Sequence, residues 1–292
     1  MPVDAGPPTR APAGRRRRPA VWRRGPAAVL GGLVVGAWAF AAIGAPVLTR
    51  YGLDEQHLVE ALRPPSLHHP FGTDDLGRDI LARVLYGGRY TLTLALSVVV
   101  VAGAAGTITG GVSGYLGGWF DEGLMRVTEL VMAFPAIILA MAIVVALGPG
   151  LLNAGLSMIL VWWPPYARLA RGEVLAVKHL EYVEAATALG QTRWGILRRA
   201  ILPNALPRMI VLATIDVGAA IATGAGLSFL GLGATPPTPE WGAMVSSGRD
   251  LLAEWWVATC PGLAIFLTVI AFNFIGDAVR DSMDPRSRGR RS

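Results

Sequence analysis

Residues 181–190 read Glu181-Tyr182-Val183-Glu184-Ala185-Ala186-Thr187-Ala188-Leu189-Gly190, and Leu202-Pro203 follow twelve residues after the glycine. This is a polar, helix-favouring island set between long apolar runs, and the proline opens the next of them. From Glu173 to Leu189 the residues are nearly all compatible with a helix. Val174, Val177, Leu180, Val183 and Ala188 recur at three- and four-residue spacing, giving that helix one apolar face. Gly190 is suited to the left-handed conformation that ends a helix. Thr192 is placed to cap a second short helix through Arg199, before Pro203 starts the next span. Ala185 and Ala186 remove bulk beside Glu184, so a partner surface can come close. Spacing alone leaves two readings open: a docking surface for something soluble, or an amphipathic helix lying on lipid headgroups.

The rest of the chain says which environment surrounds the island. Of 292 residues, 53% are hydrophobic and 16% charged. A soluble domain of this size carries about 25% charge, so the deficit and the long apolar runs indicate a membrane protein. The 36 glycines and 21 prolines agree, since membrane helices tolerate both better than soluble ones. Cys260 is the single cysteine, which excludes an intrachain disulfide and a cysteine-based metal cluster. Lys178 is the single lysine among 26 basic residues, a bias of coding and not a site. The net charge of +6 sits at the two ends and in one loop without interleaved aromatics. That pattern orients a chain in a membrane and argues against nucleic acid as a partner.

The fold class expected is an all-α membrane protein with six transmembrane helices and one functional loop. Residues 1–26 are a basic tail rich in Pro, Ala and Arg, expected to be disordered. Residues 27–48 form the first span, with an apolar run longer than a signal peptide's core. Residues 49–88 are expected as an extracytoplasmic loop, 89–281 as a core of five helices, and 282–292 as a second tail. The core spans are expected near 90–116, 124–147, 151–169, 205–231 and 257–277, the fourth interrupted by Trp162-Trp163-Pro164-Pro165.

Charge sets the orientation. The tail to Arg24 holds seven arginines against Asp4, and the end from Arg286 holds four. Segment 168–208 carries Arg168, Arg171, Lys178, Arg193, Arg198, Arg199 and Arg208 against three glutamates. Loop 232–256 has Arg249 alone against three acids. The positive-inside bias therefore puts both termini and the 168–208 loop in the cytoplasm. Loop 49–89, with five arginines against six acids, is neutral, and 117–123 carries Asp121 and Glu122 only.

Glu184-Ala185-Ala186, Gly190 and Leu202-Pro203 resemble the EAA signature of binding-protein-dependent ABC importer permeases. Further segments resemble the dipeptide/oligopeptide/nickel branch of that family, in the family's order over about residues 69–285. They are His69-Pro70-Phe71-Gly72-Thr73-Asp74-Asp75-Leu76-Gly77-Arg78-Asp79, Gly88-Arg89-Tyr90-Thr91-Leu92 and Ala133-Phe134-Pro135. Then come Leu227-Ser228-Phe229-Leu230-Gly231-Leu232-Gly233, Glu240-Trp241-Gly242 and the run from Gly276 to Pro285. Two positions depart: Ala200 stands where an apolar residue is usual, and Glu129 where an aspartate is. The resemblance implies a type I importer permease whose loop 173–203 forms coupling helices docking on a cytoplasmic ATPase. In that picture Glu184 meets the ATPase groove, Ala185 and Ala186 allow close contact, Gly190 makes the turn, and Leu202-Pro203 close the motif. It also implies a second permease subunit forming a heterodimer, two ATPase subunits and an extracytoplasmic solute-binding protein. Peptide is the default cargo, with nickel or another small solute as the alternative.

No catalytic constellation competes. A phosphate-binding loop needs a glycine-rich turn ending in Lys-Ser/Thr, and Lys178 lies in Ala-Val-Lys-His-Leu. Cofactors are therefore expected to be absent from this chain, with ATP and Mg bound by partner subunits, and ATP hydrolysis done there. There is no Gly-x-Ser-x-Gly elbow and no HExxH pattern. His68-His69 beside Asp74 and Asp75 read as a solvated loop turn rather than a cation site. Asp216 in span five and Glu129 in span three remain as intramembrane carboxylates, which tend to face a cavity or a partner. Both are candidates for the translocation path; Glu129 pairing with Arg126 is the duller account. Gly218, Ala219, Ala220, Ala222, Gly224, Ala225 and Gly226 suit span five to close packing. Trp241, Trp255 and Trp256 suit either contact with a delivery protein or anchoring at the interface. Outside transport, a membrane scaffold or an intramembrane enzyme are the other classes; the latter would need Glu129 and Asp216 at matching depth.

Overall fold

The computed structural model describes residues 21–178, 180–196, 199 and 202–283, with backbone alone at 21–25, 184, 186, 187, 193, 194 and 202–205. The regular elements among these residues are helices, the nearest thing to a sheet being one isolated bridge between Thr73 and Asp79. In chain order they are α1 Val21–Leu48, α2 Ile80–Leu116, α3 Gly118–Met132, α4 Ala136–Leu147 and α5 Leu151–Val177. After these come α6 Glu181–Ala188, α7 Arg193–Ile196, α8 Leu202–Phe229, α9 Trp241–Ser247 and α10 Trp256–Met283.

Among the described residues, four stretches are long and apolar enough to cross a membrane: Pro26–Leu48, Ile80–Leu116, Leu206–Phe229 and Trp256–Met283. The pair α3 and α4 makes a fifth if its 90° bend lies within one span. The all-helical class stands, while a count of six is not reached on length and apolarity. α5, at 27 residues, is long enough, but Trp162, Trp163, Pro164, Pro165, Arg168 and Arg171 dilute its hydropathy.

Three local expectations are corrected. α2 begins at Ile80, ten residues before the expected span, because the Asp79 side chain accepts the Ala82 amide at 2.7 Å and caps it. The expected third span breaks at Ala133-Phe134-Pro135: Pro135 has no N–H to continue α3 and restricts Phe134 ahead of it. α4 alone, at 12 residues, is about 18 Å long and falls short of a 30 Å hydrocarbon core. The opposite holds in α5, where Pro164-Pro165 sit inside an unbroken helix. Neighbouring helices there compensate for the lost hydrogen bonds.

α2 is the axis of the bundle, packing along α5 over most of its length and also against α8 and α1. The α2–α5 seam is a ribbon of small residues one turn apart: Ala102, Gly106, Gly110 and Gly114. A Cβ at Gly106 would stand 2.2 Å from the Trp163 carbonyl oxygen, and one at Gly110 would stand 2.0 Å from that of Ala167. Backbones approach this closely only where no side chain intervenes. The core beside the seam joins Val98 and Val99 of α2, Val144 of α4, Met158 of α5, and Val217, Ile221 and Leu227 of α8.

Candidate functional site

The island seen in sequence forms the connection between α5 and α8. Residues 173–177 belong to the end of α5 rather than to a loop helix, and α6 starts anew at Glu181. The single helix expected from Glu173 to Leu189 is therefore two. Gly190 adopts φ +77° and ends α6 in the left-handed region, as its identity predicts. Beyond it Thr192 Oγ1 accepts the Gly195 amide at 3.2 Å and caps α7, whose described helix is Arg193–Ile196.

α6 lies against the protein. Val183 is buried with Val174 of α5 and Ile196 of α7, and Val112, Tyr115 and Val177 pack against them. Of the expected apolar face, Val174, Val177 and Val183 turn inward, while Leu180 and Ala188 are exposed. Ala185 lies on the exposed surface of α6. Leu189 is 83% exposed beside the turn. Glu184 and Ala186 fall on α6, and Leu202 and Pro203 on the first turn of α8, but their side chains lie outside the described residues.

Charged groups brace the platform on which α6 sits. Arg171 of α5 donates to Asp121 of α3 twice, Nε to Oδ1 at 2.6 Å and NH2 to Oδ2 at 2.7 Å. Ser113 of α2 donates to the same carboxylate at 2.5 Å. Glu173 pairs with Arg208 of α8, and Lys178 Nζ donates to the Tyr115 carbonyl at 3.0 Å.

The two membrane carboxylates have different surroundings. Asp216 is half-buried on α8 and faces Tyr166 of α5. The Tyr166 hydroxyl is buried and makes no hydrogen bond of normal geometry among the described residues. Glu129 lies exposed on α3 and pairs with Arg126 at 3.3 Å, the duller of its two accounts. An apolar cleft of about 630 Å³ opens between α2 and α5, lined in part by Thr93, Leu94, Ser97, Gly155 and Ile159. Arg89 is on its wall, but its guanidinium is bound to the Ala42 and Ile43 carbonyls of α1.

At the other end of the bundle, the segment 57–83 overturns the expectation of a solvated turn. His68 and Asp75 are exposed, but His69, Asp74, Arg78, Asp79 and Arg83 are buried. His69 sits between two carboxylates, Nδ1 at 2.9 Å from Asp79 and Nε2 at 3.3 Å from Glu60, with Tyr51 stacked on its ring. The Asp74 carboxylate accepts the Leu76 and Arg78 amides and Arg78 Nε. Trp256 Nε1 donates to the Thr73 carbonyl at 3.2 Å, which ties this knot to α10. Glu240-Trp241-Gly242 is a second buried device. Glu240 is fully buried, caps α9 through the Ala243 amide at 3.0 Å and accepts the Thr91 hydroxyl at 3.2 Å. Trp241 Nε1 donates to the Val84 carbonyl, and its ring meets Trp38 edge-on. Trp241 and Trp256 are thus packed internally, leaving Trp255, 57% exposed, as the tryptophan of the three free to meet a partner or lipid.

Sequence reasoning missed Asp121, Arg171 and the glycine ribbon of α2. The ribbon was readable as glycines at 106, 110 and 114, a repeated four-residue spacing in an apolar helix. The ion pair had no local signal, because its partners are 50 residues apart.

The family described as "Binding-protein-dependent transport system inner membrane component" matches residues 106–289. The probable D,D-dipeptide transport system permease protein DdpC of Escherichia coli (strain K12) is 42% identical over 275 residues, covering 93% of this chain and 92% of that one. The dipeptide transport system permease protein DppC of Alkalihalophilus pseudofirmus is 41% identical, covering 89% and 86%. The glutathione transport system permease protein GsiD of Pectobacterium atrosepticum is 45% identical, covering 76% and 74%. Among solved structures, an inward-facing MetNI methionine ABC transporter chain superposes with a TM-score of 0.51 at 22% identity. It covers 66% of this chain and 94% of that one, a likeness of fold.

Proposed function

Because this chain belongs to the family of binding-protein-dependent transport system inner membrane components, we propose that it forms half of the translocation path of an ATP-driven peptide importer. It is a multi-pass inner-membrane permease that acts with other transporter subunits. The finer assignment is a heterodimer with a second permease, two ATPase subunits on the cytoplasmic face and a solute-binding protein outside. Both termini and the α5–α8 connection lie in the cytoplasm, as the charge asymmetry suggests. ATP and Mg belong to the ATPases, and this chain has no chemistry of its own to perform. Peptides are the proposed cargo because relatives spanning most of the chain are named for dipeptides, D,D-dipeptides and glutathione.

The observation that carries the reading is the form of the 181–196 segment. Its first helix is anchored from beneath by Val183, presents Ala185 outward, and turns at a left-handed Gly190 into a capped second helix. A partner groove can receive such a helix, and its displacement must move α5 and α8, from which it hangs. Alternating access follows: closure of the ATPases drives α6 and α7, the bundle opens outward to take substrate from the binding protein, and hydrolysis resets it. Asp216, facing Tyr166 within the bundle, is the proposed path residue; Glu129 is the weaker candidate, being paired with Arg126.

The test is the complete transporter in liposomes with binding protein inside-out to the ATPases, offered labelled dipeptides, glutathione and nickel. Gly190→Pro and Ala186→Glu are expected to abolish ATP-dependent uptake and to uncouple ATP hydrolysis while the chain stays in the membrane. Wild-type uptake in both variants would sink the coupling assignment, and uptake of nickel alone would replace the cargo.

A further inference from the structure

Near its end, one to two turns before Val177, α5 carries two opposite charges, Arg171 and Glu173, about 200° apart around the helix. Each reaches a different neighbour. Glu173, whose side chain is 11% exposed, takes the 67% exposed Arg208 of α8 through a single nitrogen. Arg171 grips Asp121 of α3 with two parallel hydrogen bonds, and Asp121 is only 13% exposed. Bidentate, partly desolvated pairs hold geometry far better than exposed single contacts. Ser113, fully buried on α2, donates to the same carboxylate, so three helices meet at one group.

The position of this junction matters more than its strength. α6 packs through Val183 on Val174, one turn beyond Arg171, and on Tyr115 at the end of α2. α5 ends at Val177 and α6 starts at Glu181, so a push on α6 reaches α5 through this side-chain packing as well as along the chain. Asp121 opens α3, which leads through the Ala133–Pro135 bend to α4, and α4 contributes Ala140 and Val144 to the core shared with α2, α5 and α8. The Asp121–Arg171 pair is therefore the polar link from the platform under α6 to the helices around that core.

We propose that Asp121 and Arg171 are positioning residues for transport: their ion pair carries displacement of the α6–α7 connection into α3 and α4, and Ser113 holds the carboxylate in register. The proposal rests on the transport reading above. Without the pair, α5 and α3 keep only their weaker contacts, such as Arg168 to Met132 Sδ, the ATPases still bind α6, and ATP is spent without opening the path.

Asp121→Asn, Arg171→Gln and the double variant test this in the full transporter in liposomes, with substrate imported per ATP hydrolysed as the readout. A merely structural role changes how many complexes assemble and leaves that ratio alone. Each single variant is expected to lower the ratio roughly five-fold or more, the scale of an allosteric coupling, with ATPase subunits still copurifying. The double variant is expected to lose no more than either single one, since both remove the same interaction. A wild-type ratio in both single variants, a fall in uptake explained by assembly alone, or additive losses in the double variant would each overturn the relay. If the wild-type complex itself shows no ATP-dependent uptake, the transport reading fails and the relay with it. Uptake by wild type with an unchanged ratio in the variants removes the relay alone.

Discussion

Gly110→Ala is the sharpest test of the α2–α5 seam. The added Cβ would lie 2.0 Å from the Ala167 carbonyl oxygen and 2.6 Å from both Ala167 C and Cα. All three are backbone atoms, so no rotamer change relieves the contact. Non-bonded carbon contacts are optimal near 3.5–4.0 Å, so α2 and α5 must part by more than about 1 Å locally. That displacement loosens Tyr166 against Gly103 and Gly106, and Arg171 against Gly114, which share the seam. Overpacking of this kind costs about 1–3 kcal/mol, while replacing a helical glycine by alanine returns about 1 kcal/mol of propensity. The net expectation is a loss centred near about 1 kcal/mol and at most about 2 kcal/mol, or roughly 2–4 °C and at most about 8 °C in melting temperature at 2–4 °C per kcal/mol. Gly111→Ala is the control, because nothing lies within 4 Å of its added Cβ. Thermal unfolding of the purified chains in one detergent measures both. The reasoning fails if Gly110→Ala melts at or above wild type, or if Gly111→Ala falls as far.

Three further outcomes are expected. Glu240→Ala removes the α9 cap and the acceptor for Thr91, which should cost about 1–3 kcal/mol; an unchanged melting temperature would contradict it. His69→Ala strips the buried Asp79 and the half-buried Glu60 of their shared partner and should make residues 49–79 the first site of limited proteolysis, so wild-type resistance there would argue against the knot. Asp216→Asn should depress uptake with assembly intact, and unchanged uptake would remove Asp216 from the path.

The spans, their apolarity and the turn at Gly190 were legible because they depend on residues near one another. A left-handed turn asks only for glycine, and a membrane helix only for an apolar run of sufficient length. The same locality explains the errors. Pro164-Pro165 read as an interruption because a proline weakens an isolated helix, yet α5 continues through them inside the bundle. Ala133-Phe134-Pro135 read as ordinary span because nothing local announces a 90° bend. His69 and Asp74 read as solvated because their sequence is polar, whereas burial came from partners at Glu60, Asp79 and Arg78 that fold around them.

Of the segment between α5 and α8, residue identity alone dictates a helix, a glycine stop and a capped second helix. Family resemblance then attaches a partner to it. Only the tertiary arrangement decides that α6 rests on α5 and α2 through Val183, and that Asp121 meets Arg171 across 50 residues. It also decides that glycines at 106 and 110 form the seam while Gly111 faces space. The division has one physical origin. Helix formation and termination are short-range properties of the backbone, whereas ion pairs, buried acids and close helix contacts depend on which surfaces the packed bundle brings together.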